Sequence, residues 1–126
     1  MVSGLEFVEE KVQVGRANIA VATCKLDNGF LILVSDGEYR FGTVAVGVPT
    51  PFGEISPTAT SCLVGTRFQA AVRAMADIAA LKLGGIVFVS LFLSKEGEAY
   101  VGSVLEAVRR LIVKRGEATE ASKDPE

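Results

Sequence analysis

The run Ile86-Val87-Phe88-Val89-Ser90-Leu91-Phe92-Leu93 decides the fold class of this chain. It is rich in β-branched and aromatic residues and too short for a buried helix, so it predicts a β-strand. Side chains alternate between the two faces of a strand, and Ser90 is the single polar residue in either alternating set. The sequence therefore predicts a strand with no face exposed to water.

The residues before this run predict further strands joined by tight turns. Asn28-Gly29 and Asp36-Gly37 each lie between apolar runs, and both pairs have the chemistry of hairpin turns. We therefore expect four successive strands that form an antiparallel meander. These strands are predicted over residues 5–14, 17–26, 30–34 and 39–48.

The second half of the chain changes its hydrophobic period. A fifth strand is predicted over residues 58–64, and Thr66 with Gln69 has the spacing of a capping box that starts a helix ending at Gly84-Gly85. A last helix is predicted over residues 98–114, with Gly116 ending it. The sequence therefore predicts an α+β fold of order ββββ-loop-β-α-β-α, with a six-stranded antiparallel sheet and two helices on one face.

The run from Phe30 to Val34 is also apolar on both faces. Two helices of modest length can cover one face of a six-stranded sheet, and no predicted element remains for the other face. We therefore expect the protein to dimerise through sheet faces, unless the sheet curls to close its own core as a small barrel or sandwich. The residues predicted to form the dimer interface are Phe30, Ile32, Ile86, Phe88 and Phe92.

The bulk composition is that of one folded domain. The chain has 126 residues, of which 49% are apolar and 22% charged, and the mean hydropathy is +0.39. We predict one domain over residues 1–116 and a disordered acidic tail over residues 117–126. The apolar stretch over residues 83–94 is far shorter than the roughly 20 residues that span a bilayer. With no secretory signal visible, a cytoplasmic location is expected.

Residue types that the chain lacks exclude several functions. The net charge is −2, and basic residues do not cluster with aromatic ones, so nucleic-acid binding is not expected. There is no histidine, which excludes histidine-based catalysis and the commonest metal ligand. The glycine-rich motifs that bind phosphate groups and the Gly-x-Ser-x-Gly motif of serine hydrolases are also absent from the sequence. We therefore predict a protein that is not an enzyme and that has no cofactor or metal.

The two cysteines are too few and too far apart for a zinc site or a redox pair. Cys24 and Cys62 both lie in apolar strands, which favours buried, unreactive thiols. A cysteine-dependent enzyme or small-ligand binder, built around Cys62, stays an alternative. The chain also contains few of the heat-labile amides, and this indicates a thermophilic source.

The loop over residues 49–57 contains three prolines. Stiff loops with apolar residues suit protein recognition, because little conformational entropy is lost when they dock. Phe52 could instead pack into the core of its own domain. The residues predicted to bind a partner are Pro49, Pro51, Phe52, Glu54 and Ile55.

One predicted strand ends in Leu-Val-Gly directly before the first helix. Its sequence is Thr58-Ala59-Thr60-Ser61-Cys62-Leu63-Val64-Gly65. The other segments that matter are the hairpin with Ala22-Thr23-Cys24 and Phe30-Leu31-Ile32-Leu33-Val34, the strand Ile86-Val87-Phe88-Val89-Ser90-Leu91, and the closing helix around Val104-Leu105-Glu106. With these segments in this order, residues 5–112 resemble the small proteasome-assembly chaperones. This family comprises the third and fourth members of the eukaryotic set and their archaeal relatives.

The resemblance implies a non-catalytic chaperone that dimerises with itself or a paralogue, binds α-type proteasome subunits and promotes assembly of the α-ring. An archaeal source is one of its implications. Larger archaeal assembly factors end in a hydrophobic-Tyr-any motif, whereas this chain ends in Ser122-Lys123-Asp124-Pro125-Glu126, so contact through the folded surface is expected. The alternative interpretation is a dimeric profilin-like or roadblock-like adaptor for another complex.

Overall fold

The computed structural model describes residues 5–50 and 58–122, with side chains as far as Glu117. These residues form six strands and three helices, which confirms the predicted α+β class. The strands are β1 (Phe7–Val14), β2 (Ala17–Leu26), β3 (Gly29–Ser35), β4 (Thr43–Pro49), β5 (Thr58–Val64) and β6 (Ile86–Phe92). The helices are α1 (Gln69–Leu83), the single-turn α2 (Lys95–Glu98), which was not predicted, and α3 (Val101–Ser122).

The six strands form one mixed sheet in the order β1-β2-β3-β6-β4-β5. Only the first three strands form the predicted meander, and β6 inserts between β3 and β4. Because β3 and β6 run parallel while the other described pairs are antiparallel, the prediction of a purely antiparallel sheet is wrong. The physical reason is burial, since β3 and β6 are the most apolar strands and each gains most from two neighbours at the centre.

The long helices α1 and α3 pack on one face of this sheet, which we call the inner face. The register places Ile32 beside Val89 and Val34 beside Leu91, so these side chains lie on the same face. All four are nearly inaccessible to water and belong to one apolar core. The helices contribute to this core Val72, Met75, Ala76, Ala79, Val104 and Val108.

Of the three predicted helix signals, the end of α1 at Gly84 is confirmed, whereas the capping box at its start and the end of the last helix at Gly116 are wrong. The N-cap of α1 is Phe68, which makes no side-chain capping bond, and the Gln69 side chain instead donates to the backbone oxygen of Gly65. Helix α3 continues through Gly116 to Ser122. Gly116 is buried where α3 meets the end of α1, and a Cβ there would lie 2.9 Å from the Lys82 oxygen, so this glycine allows close helix packing. The division into a domain of residues 1–116 and a tail stays a prediction.

Candidate protein-interaction face

The sheet has a second face, which we call the outer face, and none of the described helices packs on it. Residues that alternate with the core positions of each strand point to this side. In β6 these residues include Ile86, Phe88 and Phe92. Phe88 lies beside Leu31 of β3 and Val46 of β4, whereas Phe92 lies beside Ser35 of β3. Ala20, Ala22 and Cys24 of β2 lie on this face and are buried. Its larger apolar side chains include Phe7, Leu26, Leu31, Leu33, Val44, Val46, Val48, Ile86, Phe88 and Phe92.

All ten of these side chains are half-buried or exposed, although they lie on strands of a packed sheet. Phe88, near the middle of the face, keeps 40% of its surface accessible. Charge is missing as well, because β3, β4, β5 and β6 contain no charged residue. A contiguous apolar face of this kind is typical of an interaction surface.

The structure separates the five predicted interface residues into two groups. Ile86, Phe88 and Phe92 lie on the outer face. Phe30 and Ile32 lie on the inner face, where they are 5% and 1% exposed and belong to the core beneath the helices. Because a residue buried inside its own domain cannot contact a partner on the opposite face, the prediction for Phe30 and Ile32 is wrong.

The predicted recognition loop is described only at its start. Pro49 is the last residue of β4, where it pairs with Thr58 of β5. The other four candidates, Pro51, Phe52, Glu54 and Ile55, lie outside the described residues. A role for this loop in binding a partner stays a prediction.

A loop over residues 36–42, which we call the rim loop, borders one end of the outer face. The Tyr39 hydroxyl donates to the Glu9 carboxylate over 2.6 Å, and the Arg40 guanidinium lies 5.6 Å from the centre of the Phe92 ring. The Gly42 N–H donates to the Ser90 hydroxyl over 3.0 Å. These bonds connect the loop to β1 and β6, and the loop holds Phe41 with 78% of its surface exposed. Sequence reasoning assigned residues 35–38 to a turn and residues 39–42 to the start of the fourth strand, which in the structure begins only at Thr43.

Asp36 anchors the start of the rim loop. Its carboxylate accepts the Ser94 N–H, at 2.9 and 3.1 Å, and the Ser94 hydroxyl, at 2.6 Å. Asp36→Ala removes all three bonds, and hydrogen bonds to a charged group each contribute about 1.5–3 kcal/mol at most. Because the site is partly open to water, we expect the free energy of unfolding to fall by about 1–2 kcal/mol in total.

Urea unfolding followed by circular dichroism measures this loss. Asp77→Ala is the matched control, because Asp77 lies exposed on α1 away from the loop, and a surface change of this kind stays within about 0.5 kcal/mol. Equal losses in the two variants would contradict an anchoring role for Asp36.

The bond to Glu9 gives the Tyr39 phenol an unusual titration. Burial, followed by the hydrogen bond and the negative charge of Glu9, raises the pKa of Tyr39 from 10.0 to about 12. The folded state therefore holds the phenolic proton more tightly than the unfolded state does. The resulting stabilisation is complete below about pH 10 and is lost as the pH rises towards 12.

The ultraviolet absorbance of the phenolate measures this pKa directly. The chain has two tyrosines and no tryptophan, so Tyr100→Phe leaves Tyr39 as the single phenol. We expect a midpoint near pH 12 in that variant, and a lower one when Glu9→Gln is added. A midpoint that Glu9→Gln leaves unchanged would contradict the assigned cause, provided that circular dichroism shows a folded protein.

The cysteines and the acidic residues are the remaining candidates for a chemical site. Cys24 is buried as predicted, whereas Cys62 is only partly buried, with its sulfur 3.9 Å from the Gln69 oxygen. Within residues 5–50 and 58–122, no three histidine, cysteine, aspartate or glutamate side chains are grouped so that they could hold a metal ion. In the same residues no helix is long and apolar enough to cross a membrane.

Comparisons with known proteins bear on the fold of this chain. No protein-family model matches the sequence, and no curated protein matches it either. Among solved structures, a chain from the crystal structure of a chaperone complex for yeast 20S proteasome assembly has a similar fold. The TM-score is 0.63 at 12% identity, over 94% of this chain and 96% of the yeast chain. The protein therefore has a fold like that of a proteasome-assembly chaperone, as the sequence resemblance implies.

Proposed function

We propose that this protein is a non-catalytic, cytoplasmic assembly chaperone that acts as a dimer, binds α-type proteasome subunits and promotes formation of the α-ring. The observation that carries the proposal is the apolar outer face, on which none of the described helices packs, in a fold like that of a yeast proteasome-assembly chaperone. Such a face suits a protein that functions through its surfaces.

The size of the outer face supports a dimer. Six strands about 4.8 Å apart and seven residues of about 3.3 Å each cover roughly 29 Å by 23 Å, or about 670 Å² measured flat. The accessible surface of projecting side chains is larger than this flat area. A stable interface buries about 800 Å² on each partner, so one whole sheet face is of the required size.

The distribution of charge supports the same arrangement. Glu9 and Lys11 on β1 are charged residues at the margin of the outer face, whereas the four strands β3, β6, β4 and β5 are uncharged. An apolar centre with charge at one margin is the usual composition of a protein interface. Two copies related by a two-fold axis would bury Phe88 and its neighbours at the centre.

Light scattering coupled to size-exclusion chromatography tests both parts of this proposal. Alone, the protein should elute as a species of about 27 kDa, twice the mass of its 13.3 kDa chain. Mixed with a cognate α-type subunit, it should co-elute with that subunit and increase the yield of α-rings. A folded dimer that forms no complex with any α-type subunit would overturn the chaperone proposal and favour an adaptor of another complex.

A further inference from the structure

A cavity of about 150 Å³ lies on the opposite side of the sheet from the outer face, beneath the second half of α3. Apart from Thr23 and three charged residues, its wall is apolar, and it comes from β1, β2, β3 and the ends of both long helices. The apolar lining residues are Val8, Val21, Ile32, Leu83, Leu111 and Ile112. Val8, Glu10 and Lys114 are exposed, so the cavity is open to solvent on one side and a small molecule can enter it.

Three charged residues also line this cavity. Glu10 comes from the β1 side, and Lys114 and Arg115 come from α3. Within the part of the chain that the structure describes, none of the three forms an ion pair. The cavity therefore combines an apolar wall with two cations and one anion, a net charge of +1.

We infer that this cavity binds a small apolar carboxylate, with the hydrocarbon part against the apolar wall and the carboxylate at Lys114 and Arg115. A net charge of +1 suits a monoanion, and guanidinium and ammonium groups form charge-assisted hydrogen bonds with carboxylates. Glu10 disfavours ligands with a second negative charge.

The volume limits the size of the hydrocarbon part. An apolar cavity of about 150 Å³ accepts a benzene-sized guest, which corresponds to a chain or ring of about six carbons. Hexanoate fits these limits, and burial of its methylene groups predicts a dissociation constant on the order of 1 mM. This inference does not depend on the proposed chaperone function.

The experiment titrates the isotopically labelled full-length protein with hexanoate and follows amide chemical shifts. We expect saturable shifts that centre on Val21, Ile32 and Leu111, with 1-hexanol and hexylamine binding at least about tenfold more weakly. The double variant Lys114→Glu/Arg115→Glu should lose the preference for the carboxylate and bind hexanoate no better than 1-hexanol. Arg73→Glu/Lys95→Glu, which makes the same charge change away from the cavity, should keep the preference for hexanoate.

A second variant tests the cavity without a change of charge. Leu111→Phe adds volume at the partly exposed wall and should weaken hexanoate and 1-hexanol alike by at least about tenfold. Absence of shifts with about 10 mM hexanoate would overturn the inference. Equal binding of hexanoate and hexylamine would also overturn the inference. The same holds if the Lys114→Glu/Arg115→Glu variant still binds hexanoate more tightly than 1-hexanol.

Discussion

Phe88→Asp is expected to convert the proposed dimer into a folded monomer. Phe88 lies near the middle of the outer face, and its surface is 40% exposed in the single chain, so the domain tolerates a polar side chain there. In a sheet-face dimer the same position would be buried. An uncompensated buried charge costs about 3–5 kcal/mol, and two-fold symmetry introduces it twice. We therefore expect the dimer dissociation constant to rise by at least about 100-fold.

Light scattering at several protein concentrations measures this shift, and circular dichroism shows whether the variant is folded. Leu81→Asp is the matched control, because Leu81 is 52% exposed but lies on α1, away from the outer face. This control should leave the dimer unchanged. If Phe88→Asp stays dimeric while folded, the dimer forms through another surface.

The sequence predicts that neither face of β3 and β6 is wet, but it does not identify which alternating set faces the helices. In β3, Phe30 and Ile32 alternate with Leu31 and Leu33, and no polar residue in this part of the strand distinguishes the two sets. Pairing in the sheet resolves the ambiguity, because Phe30 lies beside Val87 and shares its buried face. In β3, the outer-face residues that sequence reasoning missed are therefore Leu31 and Leu33.

The strand order could not be predicted from the sequence either, because β6 inserts between β3 and β4, which follow one another along the chain. Asp36-Gly37 has hairpin chemistry, and local signals favour pairing between strands that are neighbours in sequence. The loop over residues 36–42 is instead bound to β1 and β6 through Tyr39 and Gly42, and β4 pairs with β6. The two hydrogen bonds join residues that are 30 and 48 positions apart along the chain, and a local turn signal does not contain that information.

Sequence reasoning interprets the glycines only as turns and helix ends, although two of them set packing distances. Gly116 lies inside α3 against the end of α1. Gly47 lies inside β4, where the strand passes beneath α1. A Cβ built at Gly47 would lie 2.9 Å from the carbonyl carbon of Ala76 and closer still to its oxygen. Strand and helix therefore touch backbone to backbone at this point.

Gly47→Ala is expected to lower the free energy of unfolding by about 3 kcal/mol or more. The atoms that the new methyl group would meet belong to the backbone of α1, so no side chain can rotate away and the helix must move off the sheet. Overpacking of this kind costs about 1–3 kcal/mol when neighbours can adjust, and more when they cannot. Such a loss is a large part of the 5–15 kcal/mol that is typical of a domain.

Urea unfolding at one fixed protein concentration measures this loss, because dimerisation makes apparent stability depend on concentration. Gly37→Ala is the matched control, since a Cβ at Gly37 meets nothing within 4 Å, and its stability should stay within about 1 kcal/mol of the original protein. Equal stability of the two variants would mean that α1 can move away from β4 at little cost. The inner face would then be loosely packed, and the outer face would have no rigid sheet to present its apolar side chains.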